Sequence, residues 1–152
     1  MIRTFLLFCL LITGLVAPSF ARSVTHPPFN TAQSDIFMRC PGARVYDGDT
    51  IICSNGYHLR LLGVQSPEIK CRRGIQCIPG DALAAKASLE AGMRLSKRIT
   101  YQYIRRDNYK RPVVIVRAGK VNLNCWQLQH SDSILEWDHR RRIEMECGVS
   151  PV

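Results

Sequence analysis

Six cysteines, Cys40, Cys53, Cys71, Cys77, Cys125 and Cys147, are spread through the body of this 152-residue chain, and a seventh, Cys9, stands alone near its start. What they can form depends on the redox compartment, and the N-terminus speaks to that. Met1, Ile2 and Arg3 make a short positive start, and residues 4–16 are apolar but too few to anchor a bilayer-spanning helix. Ser19, Phe20 and Ala21 give the small, any, small pattern of a signal-peptidase site. Residues 1–21 therefore read as a signal peptide, and the chain as periplasmic or secreted, with no membrane anchor after cleavage. Cys9 follows the bulky Phe8, where a lipid-attachment site wants a small residue.

An even number of cysteines in an exported chain of this size points to disulfides. Zinc is the competing use, but Cys71, Cys77 and His58 have no second close Cys or His pair to complete a tetrahedral set. Six cysteines allow roughly fifteen pairings. The sequential set, Cys40 with Cys53, Cys71 with Cys77 and Cys125 with Cys147, matches the local elements inferred below.

A chain of this length can bury about two thirds of its surface in one core, which argues against several domains. With 46% hydrophobic and 22% charged residues the composition is that of a globular domain, not a disordered chain. No short period marks a collagen, coiled coil or repeat. Lys and Arg exceed Asp and Glu by 21 to 12, a formal +9 that favours polyanionic partners. Removing residues 1–21 takes away only Arg3 from that excess.

Residues 22–35, with Pro27, Pro28, Asn30 and Ser34, read as a loose leader, and residues 36–152 as the folded domain. Three β-type runs, 38–46, 50–53 and 57–64, are separated by Asp47-Gly48-Asp49 and by Ser54-Asn55-Gly56, a hairpin signal. On this meander Cys40 and Cys53 are expected on paired neighbouring strands. A helix is expected next, with Asp81 near its N-terminus, an apolar stripe of Leu83, Ala84, Ala87, Ala91 and Leu95, and Lys97 and Arg98 at its negative end. Residues 99–104 and 112–117 read as strands around a polar turn, and 121–129 as a second helix; 131–147 is short and basic. Three strands, a helix, two strands and a helix is an α+β order shared by five-stranded barrels of the oligonucleotide-binding (OB) type with two to three helices.

One arginine breaks the pattern. Arg60 stands in the otherwise apolar run Leu59 to Val64, where a permanently charged guanidinium needs an anion beside it. Asp49 or Glu68 in a structural ion pair would answer, and so would a bound phosphate.

The stretch Asp47-Gly48-Asp49-Thr50, a hairpin, then Arg60-Leu61-Leu62-Gly63-Val64-Gln65-Ser66-Pro67-Glu68 resembles the signature of the staphylococcal nuclease (thermonuclease) family. Asp107-Asn108-Tyr109-Lys110-Arg111 resembles that family's second arginine motif, and Gly119-Lys120-Val121-Asn122 the turn and helix start after it. The resemblance covers residues 38–130. It implies a barrel that hydrolyses DNA or RNA phosphodiesters with Ca2+, with Arg60 and Arg111 as catalytic arginines and Glu68 as general base. Two arginines would meet the charge that builds on phosphoryl oxygens, and a carboxylate would activate water. Asp49 resembles one calcium carboxylate and Ser66 the position giving a carbonyl, while Gln65 stands where the family has a second Asp. That substitution removes a negative ligand and should weaken the cation, with Asp47 near enough in sequence to contribute.

Tyr109 resembles a position beside the substrate phosphate. Lys70, Arg72 and Arg73, and Arg140, Arg141 and Arg142, are candidate contacts to a nucleic-acid backbone, or simply solvated charge. Trp126 and Trp137 are expected to pack, and His58, His130 and His139 show no triad or metal spacing. Two non-catalytic alternatives remain: a nucleic-acid-binding barrel whose metal site Gln65 has impaired, and a secreted module for another polyanion.

Overall fold

A computed structural model describes residues 36–71, 77–136 and 139–148. The signal segment 1–21, the leader 22–35, Arg72, Arg73 and Trp137 lie outside the described residues. The described residues are α+β, with a mixed sheet and three helices.

The first expected strand is broken in two. β1 (Phe37–Arg39) and β2 (Arg44–Val45) flank Pro41, which has no N–H to donate, and Gly42, which takes φ +54° and packs against Ser54. β1 can therefore pair with one partner and β2 with another. β2 pairs antiparallel with β3 (Thr50–Ile52), and β3 with β4 (His58–Leu61). After Gly63, in the left-handed region at φ +67°, the short β5 (Val64–Gln65) leaves the main sheet.

β6 (Ile99–Arg106) and β7 (Pro112–Ala118) form the long hairpin, with a bulge between Tyr103 and Arg105. β1 pairs with β6, and β8 (Val121–Asn122) folds back on β7. β4 and β7 run parallel, Arg60 opposite Val113, and this is the one parallel pairing among the described residues. The main sheet runs β1-β6-β7-β4-β3-β2, while β5 pairs with β9 (Ile134–Leu135). This hydrogen-bonded path is open, and its two ends, β1 and β2, are consecutive pieces of chain.

α1 (Ala82–Arg94) is capped by Asp81, whose carboxylate accepts the N–H groups of Leu83 and Ala84. Its buried face is not the expected stripe. Leu83 and Leu95 are 66% and 53% exposed, while Ala85, Leu89 and Gly92 are buried. The alanines gave no preference between faces, and contacts from the second helix decided it. A Cβ on Gly92 would stand 2.9 Å from Trp126 Cδ1, and Trp126 Nε1 donates to the Ser88 carbonyl at 3.0 Å.

That second helix, α2 (Leu123–His130), starts at its Asn122 cap, two residues later than expected. Buried Asn124 accepts from Val116 N–H at 2.9 Å and donates to the carbonyls of Leu62 (3.0 Å) and Val114 (3.1 Å). It thereby closes backbone groups on both strands flanking the parallel seam. α3 (Arg140–Cys147) lays Ile143 over Leu62, Val113 and Ile115. The larger core gathers Ile51, Leu59, Leu61, Val64, Leu89, Val114, Val116 and Leu123.

All three sequential cysteine pairs stand at disulfide distance, with Cα separations of 5.1 Å for Cys40 and Cys53, 5.9 Å for Cys71 and Cys77, and 5.4 Å for Cys125 and Cys147. The first does not bridge paired strands as expected. Cys40 sits in the break after β1 and Cys53 just past β3, so the link pins the break to the hairpin. No helix among the described residues is long and apolar enough to cross a membrane.

Candidate active site

The site begins in the turn before β3. Asp47 accepts the N–H of Asp49 at 3.1 Å, and a Cβ at Gly48 would come within 2.6 Å of Ser66 Cβ, so only glycine lets the turn lie against residue 66. That contact places Asp49, 7% exposed, against the start of the next loop. Its Oδ2 accepts from Ser66 N–H at 3.1 Å, and its Oδ1 accepts from the Thr50 hydroxyl at 3.0 Å. Burial pushes the Asp49 carboxyl up to about 6, opposed by the Arg60 charge and reinforced by Asp47.

Arg60 reaches Asp49 from the adjacent strand, Nη1 to Oδ1 at 2.9 Å, and the same nitrogen donates to the Val64 carbonyl. Of the two carboxylates expected as ion-pair partners, the pair forms with Asp49. The β3–β4 register sets Thr50 opposite Arg60 and so brings the neighbouring Asp49 close to that arginine.

Arg111 is held by a different acid. In the β6–β7 turn Asp107 Oδ1 accepts from the backbone N–H groups of Tyr109 (2.9 Å) and Arg111 (2.8 Å), stabilising a turn in which Lys110 takes φ 64°. Asp107 Oδ2 accepts from Arg111 Nε at 2.6 Å. Burial alone would raise the Asp107 carboxyl, but these hydrogen bonds and the Arg111 charge hold it below its ordinary value. Because the link uses Nε, both terminal amino groups of Arg111 are without a hydrogen bond among the described residues. The guanidinium lies 5.3 Å from the centre of the Tyr109 ring, itself 75% exposed.

These pieces line one cavity of about 610 Å3. Arg60, Arg111 and Glu68, the expected catalytic set, share it with Asp49, Gln65 and Tyr109. Glu68 is exposed and has no ion pair or hydrogen bond among the described residues. Lys70 and Asp47 also line the cavity; Ser66 does not, its N–H anchoring Asp49 and its hydroxyl meeting Ser133 at 2.5 Å. Two functional neighbours were missed in the sequence. Glu136 lines the cavity from the position just after β9, where the sequence carries no periodic signal; Asp107, read only as part of a motif, is the anchor of Arg111, and its four-residue spacing from that arginine was the available clue.

Other candidates fall elsewhere. Arg140 and Arg142 pair along α3 with Glu144 (2.8 Å) and Glu146 (3.3 Å), as i, i+4 helical pairs do. His58 meets Tyr46, His130 stacks on Trp126, and His139 bonds Arg105.

For a divalent cation, Asp47, Asp49 and Gln65 among the cavity's lining residues offer carboxylate and amide oxygens, the chemistry a hard ion prefers. Among the described residues no three His, Cys, Asp or Glu side chains form a ready-made metal cluster. The fit is thus one of donor type, with Gln65 in place of a further charge. No protein-family model matches the chain, and no curated protein matches it.

Proposed function

We propose that this chain is an exported, disulfide-stapled endonuclease of the thermonuclease type, hydrolysing phosphodiester bonds of DNA or RNA. The observation that carries this reading is the convergence on one cavity of Arg60 and Glu68 with Arg111, which comes from a separate stretch of chain. The order of elements supports it: with β1 and β2 taken as one strand interrupted at residues 40–43, the strands β1/β2, β3, β4, β6 and β7 follow the order used by OB-type barrels, here along an open hydrogen-bonded path.

Arg111, with its terminal amino groups open, clamps two oxygens of the scissile phosphate. Arg60, lining the same cavity, adds its charge and holds its orientation through Asp49. Preorganised cations of this kind stabilise the charge that grows on the phosphoryl oxygens. Glu68, unpaired and exposed, takes the proton of the attacking water. Asp49, Gln65 and Asp47 would hold Ca2+, which supplies Lewis-acid polarisation when bound.

The test is cleavage of single-stranded DNA and RNA by the oxidised protein, with calcium or chelator. Glu68→Gln should lower the rate about a hundredfold to ten-thousandfold, and Arg111→Ala about a hundredfold or more, with folding retained. Wild-type protein that cleaves nothing with calcium, manganese or magnesium sinks the proposal. One observation favours a second reading, a non-catalytic nucleic-acid-binding module: both Asp49 oxygens are already engaged, so a cation must compete with Arg60, Thr50 and Ser66 for them. Salt-sensitive binding without cleavage would select it.

A further inference from the structure

A second concavity, about 1050 Å3, lies between the strand break at residues 40–43 and the C-terminal end of α1. Its lining carries Arg39, Arg44, Arg94, Lys97 and Arg98 against a single carboxylate, Glu90. All five cations are exposed, and none makes an ion pair or a side-chain hydrogen bond among the described residues. Elsewhere on the surface Arg111, Arg117, Arg140 and Arg142 each have an acid within 4 Å.

The negative end of the α1 dipole accounts for Arg94, Lys97 and Arg98 by itself. It does not account for Arg39 and Arg44, which the two halves of the broken strand bring to the same groove. Five unneutralised charges around one concave surface repel one another, and a bound polyanion relieves that repulsion.

The groove also leads to the candidate active site. Arg44 and Val45 line the groove, and the next two residues, Tyr46 and Asp47, line the catalytic cavity. At about 3.3 Å per extended residue, Arg44 lies roughly 10 Å from Asp47, a short step for a polynucleotide backbone. An anionic glycan or a lipid surface would satisfy the groove's charge alone, but only a nucleic-acid strand uses both concavities at once.

We infer that this groove is an extended subsite for the sugar-phosphate backbone of the nucleic-acid strand whose scissile phosphate lies between Arg60 and Arg111. The inference rests on the hydrolytic reading for its ligand, and its test is independent of hydrolysis. The groove gives affinity for long strands and leaves binding of a dinucleotide, which reaches only the cavity, to the site itself.

The experiment measures fluorescence anisotropy of a labelled oligothymidylate of about 12 nucleotides, and of a dinucleotide, in chelator. Each single-stranded phosphate neutralised contributes about 0.7 to the slope of log affinity against log salt, so Arg94→Gln/Lys97→Gln/Arg98→Gln should make that slope shallower by about 2 for the long strand. Dinucleotide affinity should stay unchanged. A control lacking the same charge elsewhere, Lys86→Gln/Arg105→Gln/Lys120→Gln, should keep the wild-type slope. Equal effects of the two triple variants, equal loss for both ligands, no wild-type binding at low salt, or a wild-type preference for anionic vesicles or heparin would each overturn the inference. Groove-dependent binding without cleavage by any divalent ion refutes the hydrolase and keeps the groove; cleavage with a groove-independent slope does the reverse.

Discussion

Asp49 and Asp107 hold the two arginines, yet they titrate in opposite senses. Asp49 has a folded pKa of about 6, above its ordinary 3.8, so the folded state holds its proton more tightly than the unfolded chain does. Its contribution to stability is fully present below about pH 4 and is lost as pH rises through about 6. Asp107 lies below its ordinary value, so its contribution is present above that value and is lost on acidification. Urea midpoints in chelator should therefore show wild type gaining on Asp49→Asn as pH falls from 7 to 4.5; a wild type that loses ground would mean that the Arg60 charge outweighs burial. At this scale Arg60 was legible because a charge inside an apolar run violates the alternation around it. Glu136 was not, since nothing periodic frames it and only the fold brings it to the cavity.

The elements divide in the same way. Asp81 caps α1 as its side-chain chemistry led one to expect, whereas Asn122, read as lying inside the second helix, is the residue that caps it. The face of α1 was misread because an alanine-rich helix carries little amphipathic contrast, leaving tertiary contacts to choose. Leu89 is buried and Leu83 exposed, so Leu89→Ala should cost about 2–5 kcal/mol while Leu83→Ser stays within about 0.5 kcal/mol, by chemical denaturation. Similar losses at both positions would restore the original stripe. The break between β1 and β2 was written in Pro41 and Gly42, but the apolar residues on either side read as one strand. Only the distinct partners of its halves, β6 and β3, separate them.

Across the whole molecule, the cysteine pairing was legible because each link joins neighbours in the cysteine order. The path of the sheet was not, because the parallel β4–β7 seam depends on contacts far apart in the chain. The links span unequal stretches, with sequence separations of 22 for Cys125 with Cys147, 13 for Cys40 with Cys53 and 6 for Cys71 with Cys77. If they act mainly by restricting the unfolded chain, replacing the first pair by serines should destabilise most, by about 3 kcal/mol, and the last pair least. Thermal melts of the three double variants check the ranking. The Asn124 clasp on that seam also has a temporal meaning. Arg60 is synthesised early, but the parallel β4–β7 seam beside it is not fastened until residue 124 has followed and folded back. A chain still being made lacks this clasp, so the cavity that Arg60 shares with Arg111 is assembled only after residue 124 has folded back.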